Sequence, residues 1–109
     1  MSGGQQEPEP RSPTKEDQDI LDKVKEQFVK RSGTNPSEFQ AILVSTMVAN
    51  SIISLGYLFK VYTGGDTYSH LKVHYTNHLQ RGPNLENFLL NKTKDEKLEF
   101  FLDGDDNRE

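Results

Sequence analysis

FQAILVSTMVANSIISLGYLF, residues 39–59, runs twenty-one residues without a charge in a chain that is 28% charged. A membrane-spanning helix needs about twenty mainly apolar residues, so the length fits. The composition does not, because Gln40, Ser45, Thr46, Asn50, Ser51 and Ser54 are spread along the stretch and Gly56 follows them. The next residues decide the matter. In YLFKVYT (57–63), Tyr57, Phe59 and Val61 alternate with Leu58, Lys60 and Tyr62, the period of a half-buried strand. A two-stranded ribbon is marginal on its own, so such a strand needs further partners. The uncharged stretch therefore reads as a strand from about Phe39 to Met47, a loop over Ala49 to Gly56, and a second strand from Tyr57.

Upstream, the period changes to that of a helix. In SPTKEDQDILDKVKEQFVKRSG (12–33), Ser12 or Thr14 can cap the start, and Pro13 suits the first turn. Glu16, Asp17 and Asp19 lie near the positive end of the dipole. Ile20, Leu21, Val24 and Phe28 then recur on one face, with Lys and Glu opposite, and Gly33 supplies the stop. One helix is expected over about 15–31. Downstream, Gly64-Gly65 supplies a tight turn, because glycine accepts positive φ freely. TYSHLKVHY (67–75) alternates again, with Ser69, Leu71, Val73 and Tyr75 on one face and Tyr68, His70, Lys72 and His74 on the other. NHLQRGPNLEN (77–87) reads as a loop around Gly82-Pro83. KLEFFLD (97–103), with Leu98, Phe100 and Leu102 alternating, reads as the closing strand. The expected order is one helix and four antiparallel strands, an α+β domain.

Composition narrows the function. The net charge is −4, but residues 15–102 carry eleven basic and eleven acidic residues, and the excess sits in the termini. A neutral body offers no electrostatic footprint for nucleic acid or an anionic membrane, and neither is expected as a partner. There is no cysteine, hence no disulfide, thiol nucleophile or thiolate metal site, in keeping with a reducing compartment. MSGGQQEPEPRSPTKED (1–17) lacks the basic start and apolar stretch of a secretory signal, so Asn91-Lys92-Thr93 is not read as a glycosylation site. His70 and His74, about 13 Å apart at strand rise, cannot share a metal and are read as surface residues of the sheet. Asp103, Asp105 and Asp106 lack the spacing of a calcium loop. No nucleophile–base pair, phosphate loop or paired carboxylates stand out, so no enzyme, cofactor or metal is expected.

One helix followed by a four-stranded antiparallel meander resembles the cystatin fold. ILDKVKEQF (20–28) stands where that family has its helix motif. YLFKVYTGGDTYSHLKV (57–73) follows the central hairpin of the stefins, its intracellular branch, and NKTKDEKLEFF (91–101) is similar to their closing strand. MSGG (1–4) resembles the glycine start of a stefin. The resemblance implies a mobile segment over 1–14, a cystatin-like domain over 15–102 and an acidic tail over 103–109. It also implies a function: reversible, competitive inhibition of papain-like cysteine proteases, the cathepsins, by a wedge that occludes the active-site cleft. The family builds that wedge from a glycine-bearing N-terminal segment, a first loop with Gln-x-Val-x-Gly and a second loop with Leu-Pro or Pro-Trp. Here these positions fall on Gly3 and Gly4, on Met47, Val48, Ala49, Asn50 and Ser51, and on Asn77 and His78. Met47 replaces the Gln, Ser51 the Gly, and Asn77-His78 the Leu-Pro, and IISLG (52–56) makes the first loop about three residues longer. The implied inhibitor is thus weakened or of shifted specificity.

An uncharged tip with Met47, Val48, Ile52, Ile53 and Leu55 reads as a contact surface. The alternative is a non-inhibitory cystatin-fold module whose loops 47–56 and 76–83 bind another protein. A cytoplasmic monomer with a slow route to domain-swapped dimers is expected.

Overall fold

The computed structural model describes residues 9–48, 54–76, 82–99 and 101. Two helices, α1 (Lys15–Lys23) and α2 (Lys25–Ser32), precede four strands: β1 (Gln40–Val48), β2 (Ser54–Gly64), β3 (Thr67–Thr76) and β4 (Pro83–Lys92). The strands pair antiparallel in chain order, β1-β2-β3-β4, and the helices pack across one face of the sheet. The uncharged stretch is therefore two paired strands. Among the described residues no helix is long and apolar enough to cross a membrane.

Thr14 caps α1, with its hydroxyl accepting from the Asp17 N–H and the Asp17 carboxylate accepting from the Thr14 N–H. Pro13 precedes this cap rather than opening the first turn. The single helix expected over 15–31 is interrupted at Val24, whose φ of −101° and ψ of 3° let its N–H reach back to the Leu21 carbonyl at 3.0 Å. That shorter bond tightens the turn. It falls at a β-branched residue, which helices crowd, and Leu21, Val24 and Phe28 all remain buried. Gly33, at φ +76°, ends α2.

The core is Leu21, Val24 and Phe28 against Tyr57, Phe59, Val61, Leu71 and Val73, as the periodicity predicts, joined by Phe39, Ala41, Val44, Leu85 and Phe88. Glutamines tie the helices to both outer strands. Gln18 donates to the Phe39 carbonyl at 3.0 Å and accepts from the Ala41 N–H at 2.8 Å. Gln27 does the same between the Pro83 carbonyl, at 3.3 Å, and the Leu85 N–H, at 2.8 Å. A primary amide offers a donor and an acceptor side by side, much as a neighbouring strand would, and so blunts a sheet edge.

At the β2–β3 turn the two central residues are Gly65 and Asp66, at φ +62° and +64°, the signs a type I′ turn requires. The register slips just before it, between Tyr62 and Gly64, and Gly64, at φ +98°, has the Ser37 hydroxyl only 2.1 Å from where a Cβ would stand.

Three expectations are corrected. First, the loop read over Ala49 to Gly56 is shorter, because Ser54, Leu55 and Gly56 already belong to β2. Pairing with β3 on one side and β1 on the other satisfies their backbone groups, which a loop would leave to water. Second, the fourth strand is not KLEFFLD but Pro83–Lys92. Proline is tolerated as the first residue of an outer strand. Bulges shift the register opposite Lys72/Val73 and Tyr68/His70, so the core residues Leu85 and Phe88 stand three apart instead of two. After β4 the chain turns at Thr93–Glu96, and residues 97–99 form no strand.

Third, His70 is not at the surface. The sheet face away from the helices holds Ser45, Leu58, Lys60 and His70, all buried. The segment after β4 crosses them. Lys60 donates to the Lys94 carbonyl at 2.7 Å and to the Glu96 carbonyl, and Lys72 donates to the Phe101 carbonyl at 3.4 Å. Leu98 of this segment is itself buried. A buried lysine is rare without partners, and here two carbonyls serve.

Candidate functional site

Strand register defines one end of the sheet. Val48 pairs with Leu55, Leu55 with Tyr75, and Tyr75 with Pro83, so one row crosses all four strands. The β1–β2 connection, five residues between Val48 and Ser54, leaves from this row, as does the β3–β4 connection between Thr76 and Pro83. The N-terminal segment points the same way. Arg11 pairs antiparallel with Val44, Arg11 N–H to Val44 O at 2.8 Å and Val44 N–H to Arg11 O at 3.0 Å. Because β1 runs from Gln40 toward Val48, the antiparallel chain read from Arg11 back to Glu9 runs toward Val48. Three segments far apart in sequence thus lead to one end, while the Gly65-Asp66 turn lies at the other.

Of the residues singled out in the sequence, Met47 and Val48 are the last two of β1, opposite Gly56 and Leu55. They are strand residues, and their backbone is held by the ladder. Gly3, Gly4, Ala49, Asn50, Ser51, Asn77 and His78 lie outside the described residues. Of IISLG (52–56), the stretch expected to lengthen the first loop by about three residues, Ser54, Leu55 and Gly56 belong to β2 and lengthen the β1–β2 ribbon instead. Below the row, buried Tyr57 stacks on Phe59 with ring centroids 5.8 Å apart, which stiffens the base of that ribbon.

The charged feature here is one that sequence reading missed. The Arg11 guanidinium meets the Asp17 carboxylate with both arms, Nη1–Oδ2 at 2.6 Å and Nη2–Oδ1 at 3.3 Å. The same carboxylate accepts from the Thr14 N–H at 2.8 Å and hydroxyl at 3.0 Å. Burial alone would push the Asp17 carboxyl up, but the bonds from Arg11 and Thr14 outweigh it and hold the group below its ordinary value. The Asp17 bond in turn raises the Arg11 guanidinium. The Thr14–Asp17 spacing was visible as a capping box. Nothing in the sequence pointed to Arg11.

Among the described residues no group of three or more His, Asp or Glu could hold a metal ion. Two clefts lie elsewhere, one of about 150 Å³ beside Phe28, Pro36, Thr63 and Leu90, the other of about 300 Å³ beside His70, Lys92, Glu96 and Phe101.

No family model matches the chain. Curated proteins do. It is 33% identical over 102 residues to leukocyte cysteine proteinase inhibitor 1 of Sus scrofa, covering 93% of this chain and 94% of that one. It is 35% identical over 101 residues to cystatin-A3 of Dictyostelium discoideum, covering 93% and 100%. With cystatin-A of Mus musculus the identity is 30% over 93 residues, 85% of this chain and 93% of the relative.

Proposed function

The chain belongs to the cystatin superfamily as a stefin-like member, and from that premise we propose that it is a reversible, competitive inhibitor of papain-like cysteine proteases of the cathepsin type. What supports this reading above all is the convergence of three segments on the Val48–Leu55–Tyr75–Pro83 row. A wedge of Gly3 and Gly4, of residues 47–51, and of Asn77 and His78 would fill the protease cleft from that end. Two of its three parts begin at ladder-held strand ends, and a fixed starting point favours affinity by cutting the order lost there. The wedge presents no group that forms a bond with the protease thiolate, so inhibition is reversible. Met47, Ser51 and Asn77-His78 depart from the family's pattern at the contact positions, which shifts or weakens the specificity. We assign its action to the cytoplasm, since a chain without cysteine suits a reducing compartment.

Titration against papain and a cathepsin panel tests the reading. The parent should slow at least one of them competitively, with activity recovered on dilution. Val48→Asp, its fold checked by circular dichroism, should weaken that inhibition about a hundredfold, because complex formation would bury an unpaired carboxylate. If the parent slows none at micromolar concentration, the function is instead that of a cystatin-fold module whose loops bind another protein.

The inhibitor acts as a monomer in this reading. The antiparallel β1–β2 hairpin can open as a unit and exchange the helices and β1 between chains. Size-exclusion chromatography after partial thermal unfolding should therefore show a dimer peak that fresh protein lacks. Identical elution before and after heating at high concentration would count against exchange.

A further inference from the structure

Arg11 and Asp17 lie outside the segments that would touch a protease, yet they make the most heavily bonded charged pair described in the molecule. Asp17 is 6% exposed and accepts from four donors, two on Arg11 and two on Thr14. Arg11 is 45% exposed and belongs to no strand; its backbone makes one isolated bridge to the outer strand β1. A single bridge is a weak hold, because two backbone hydrogen bonds must offset the entropy of ordering the chain around them. The side-chain fork adds a second attachment, to the first turn of α1, and the two together fix both the position and the direction of the chain at Arg11.

We propose that Arg11 and Asp17 form a latch that positions the N-terminal segment, clamping it between the cap of α1 and the edge of β1 so that the chain from Arg11 back to Glu9 heads toward the end from which the two connections leave. This rests on the inhibitor reading above, and it assigns Arg11 and Asp17 as positioning residues that act through Gly3 and Gly4 without touching the protease. The latch works by reducing the order lost when the segment binds. A guanidinium fork on a buried carboxylate suits this task better than an ammonium, because its two bonds fix orientation as well as distance. Burial opposes ionisation of Asp17, but its bonded partners hold it ionised, so the latch stays closed across the neutral range.

The test uses the full chain and two measurements. Amide hydrogen exchange in the free protein reads the latch directly. Arg11→Met should speed exchange at Arg11 and Val44 by about tenfold while leaving Phe59 and Leu71 in the core unchanged, and Arg11→Lys should fall between. Dissociation from whichever papain-like protease the parent inhibits reads the consequence. Arg11→Met should raise the off-rate about three- to tenfold in the parent but not in a Gly3→Glu/Gly4→Glu background, where the segment no longer has its contact to deliver. A rise of equal size in both backgrounds would mean that Arg11 acts on the fold or on the protease itself, and would overturn the proposal. Unchanged exchange at Arg11 and Val44 would overturn it as well. If no papain-like protease is bound by any variant, the inhibitor reading fails by itself, while the exchange result still decides whether the latch exists.

Discussion

Phe28→Ala should lower the stability of the fold by about 3–5 kcal/mol, the range for truncating a fully buried aromatic ring. Phe28 is 1% exposed and lies between the helix layer and one face of the sheet. Its ring centroid is 5.5 Å from that of Phe39, tilted by 39°, and 5.5 Å from that of Phe88, edge-on at 76°. Phe39 leads into β1 and Phe88 belongs to β4, so one side chain bridges the two outer strands. The alanine variant loses the transfer energy of the ring, the two aromatic contacts and the filling of the space between them. Small domains hold only about 5–15 kcal/mol in all, so the loss is a large share. Arg31 lies 5.6 Å from the Phe88 ring and donates to the carbonyls of Leu85 and Glu86, which pins β4 from the other side and limits collapse into the vacated space. Denaturant titration should show a lowered midpoint with an unchanged slope, and Phe28→Leu should cost about 1 kcal/mol. A midpoint near that of the parent for the alanine variant would mean that the helix layer does not rest on this ring.

Mild acid should be the second large effect. His70 is 2% exposed, and its Nε2 has no hydrogen-bond partner among the described residues. Burial first, then the positive charges of Lys60 on β2 and Lys92 on β4, lower its pKa to about 4, with Glu96 opposing them. Lys97 and Glu99 of the covering segment complete the charged surroundings. The unfolded chain takes up the proton near the ordinary value of about 6.5. Above that pH both states are neutral and the stability is full. Between about 6.5 and 4 the unfolded state binds the proton and the folded state does not, so stability falls with falling pH. The whole loss is roughly 3 kcal/mol, complete below about pH 4. His70→Leu removes the titrating group and should flatten the profile over that window. Denaturant midpoints for parent and variant at pH 7, 6, 5 and 4.5 check this. Parallel profiles would show that His70 is charged without penalty in the folded state.

Both effects bear on how much of the molecule could be read from residues alone. Cap, face and stop of the helical region were legible in Thr14, in Leu21, Val24 and Phe28, and in Gly33. So were the two faces of β2 and β3 and a glycine turn between them, which falls at Gly65-Asp66, one residue later than the Gly64-Gly65 expected. Each rests on interactions within a few residues, namely a hydroxyl bonding the next turn's amide, a repeat that matches the backbone period, or a glycine accepting positive φ. The uncharged stretch was correctly resolved into two strands because its polar residues forbid a span and its neighbour demands a partner. The end of the sheet that carries the proposed wedge could be named from family resemblance, through Met47 and Val48.

Other features required partners distant in sequence. β4 was misread because its bulges place Leu85 and Phe88 three apart, and those bulges are set by the register against β3. His70 looked solvent-facing because it alternates with core residues, and Lys60 pairs opposite it. They are buried because the segment after β4 folds back across them, held by Lys60 itself. Arg11 looked like one charge in a polar leader until the fold brought β1 and the α1 cap to either side of it. Period and propensity report how a residue meets its own neighbours in sequence. Burial, register and charge pairing depend on which distant segment arrives opposite, and that is decided only when the whole chain closes on one core.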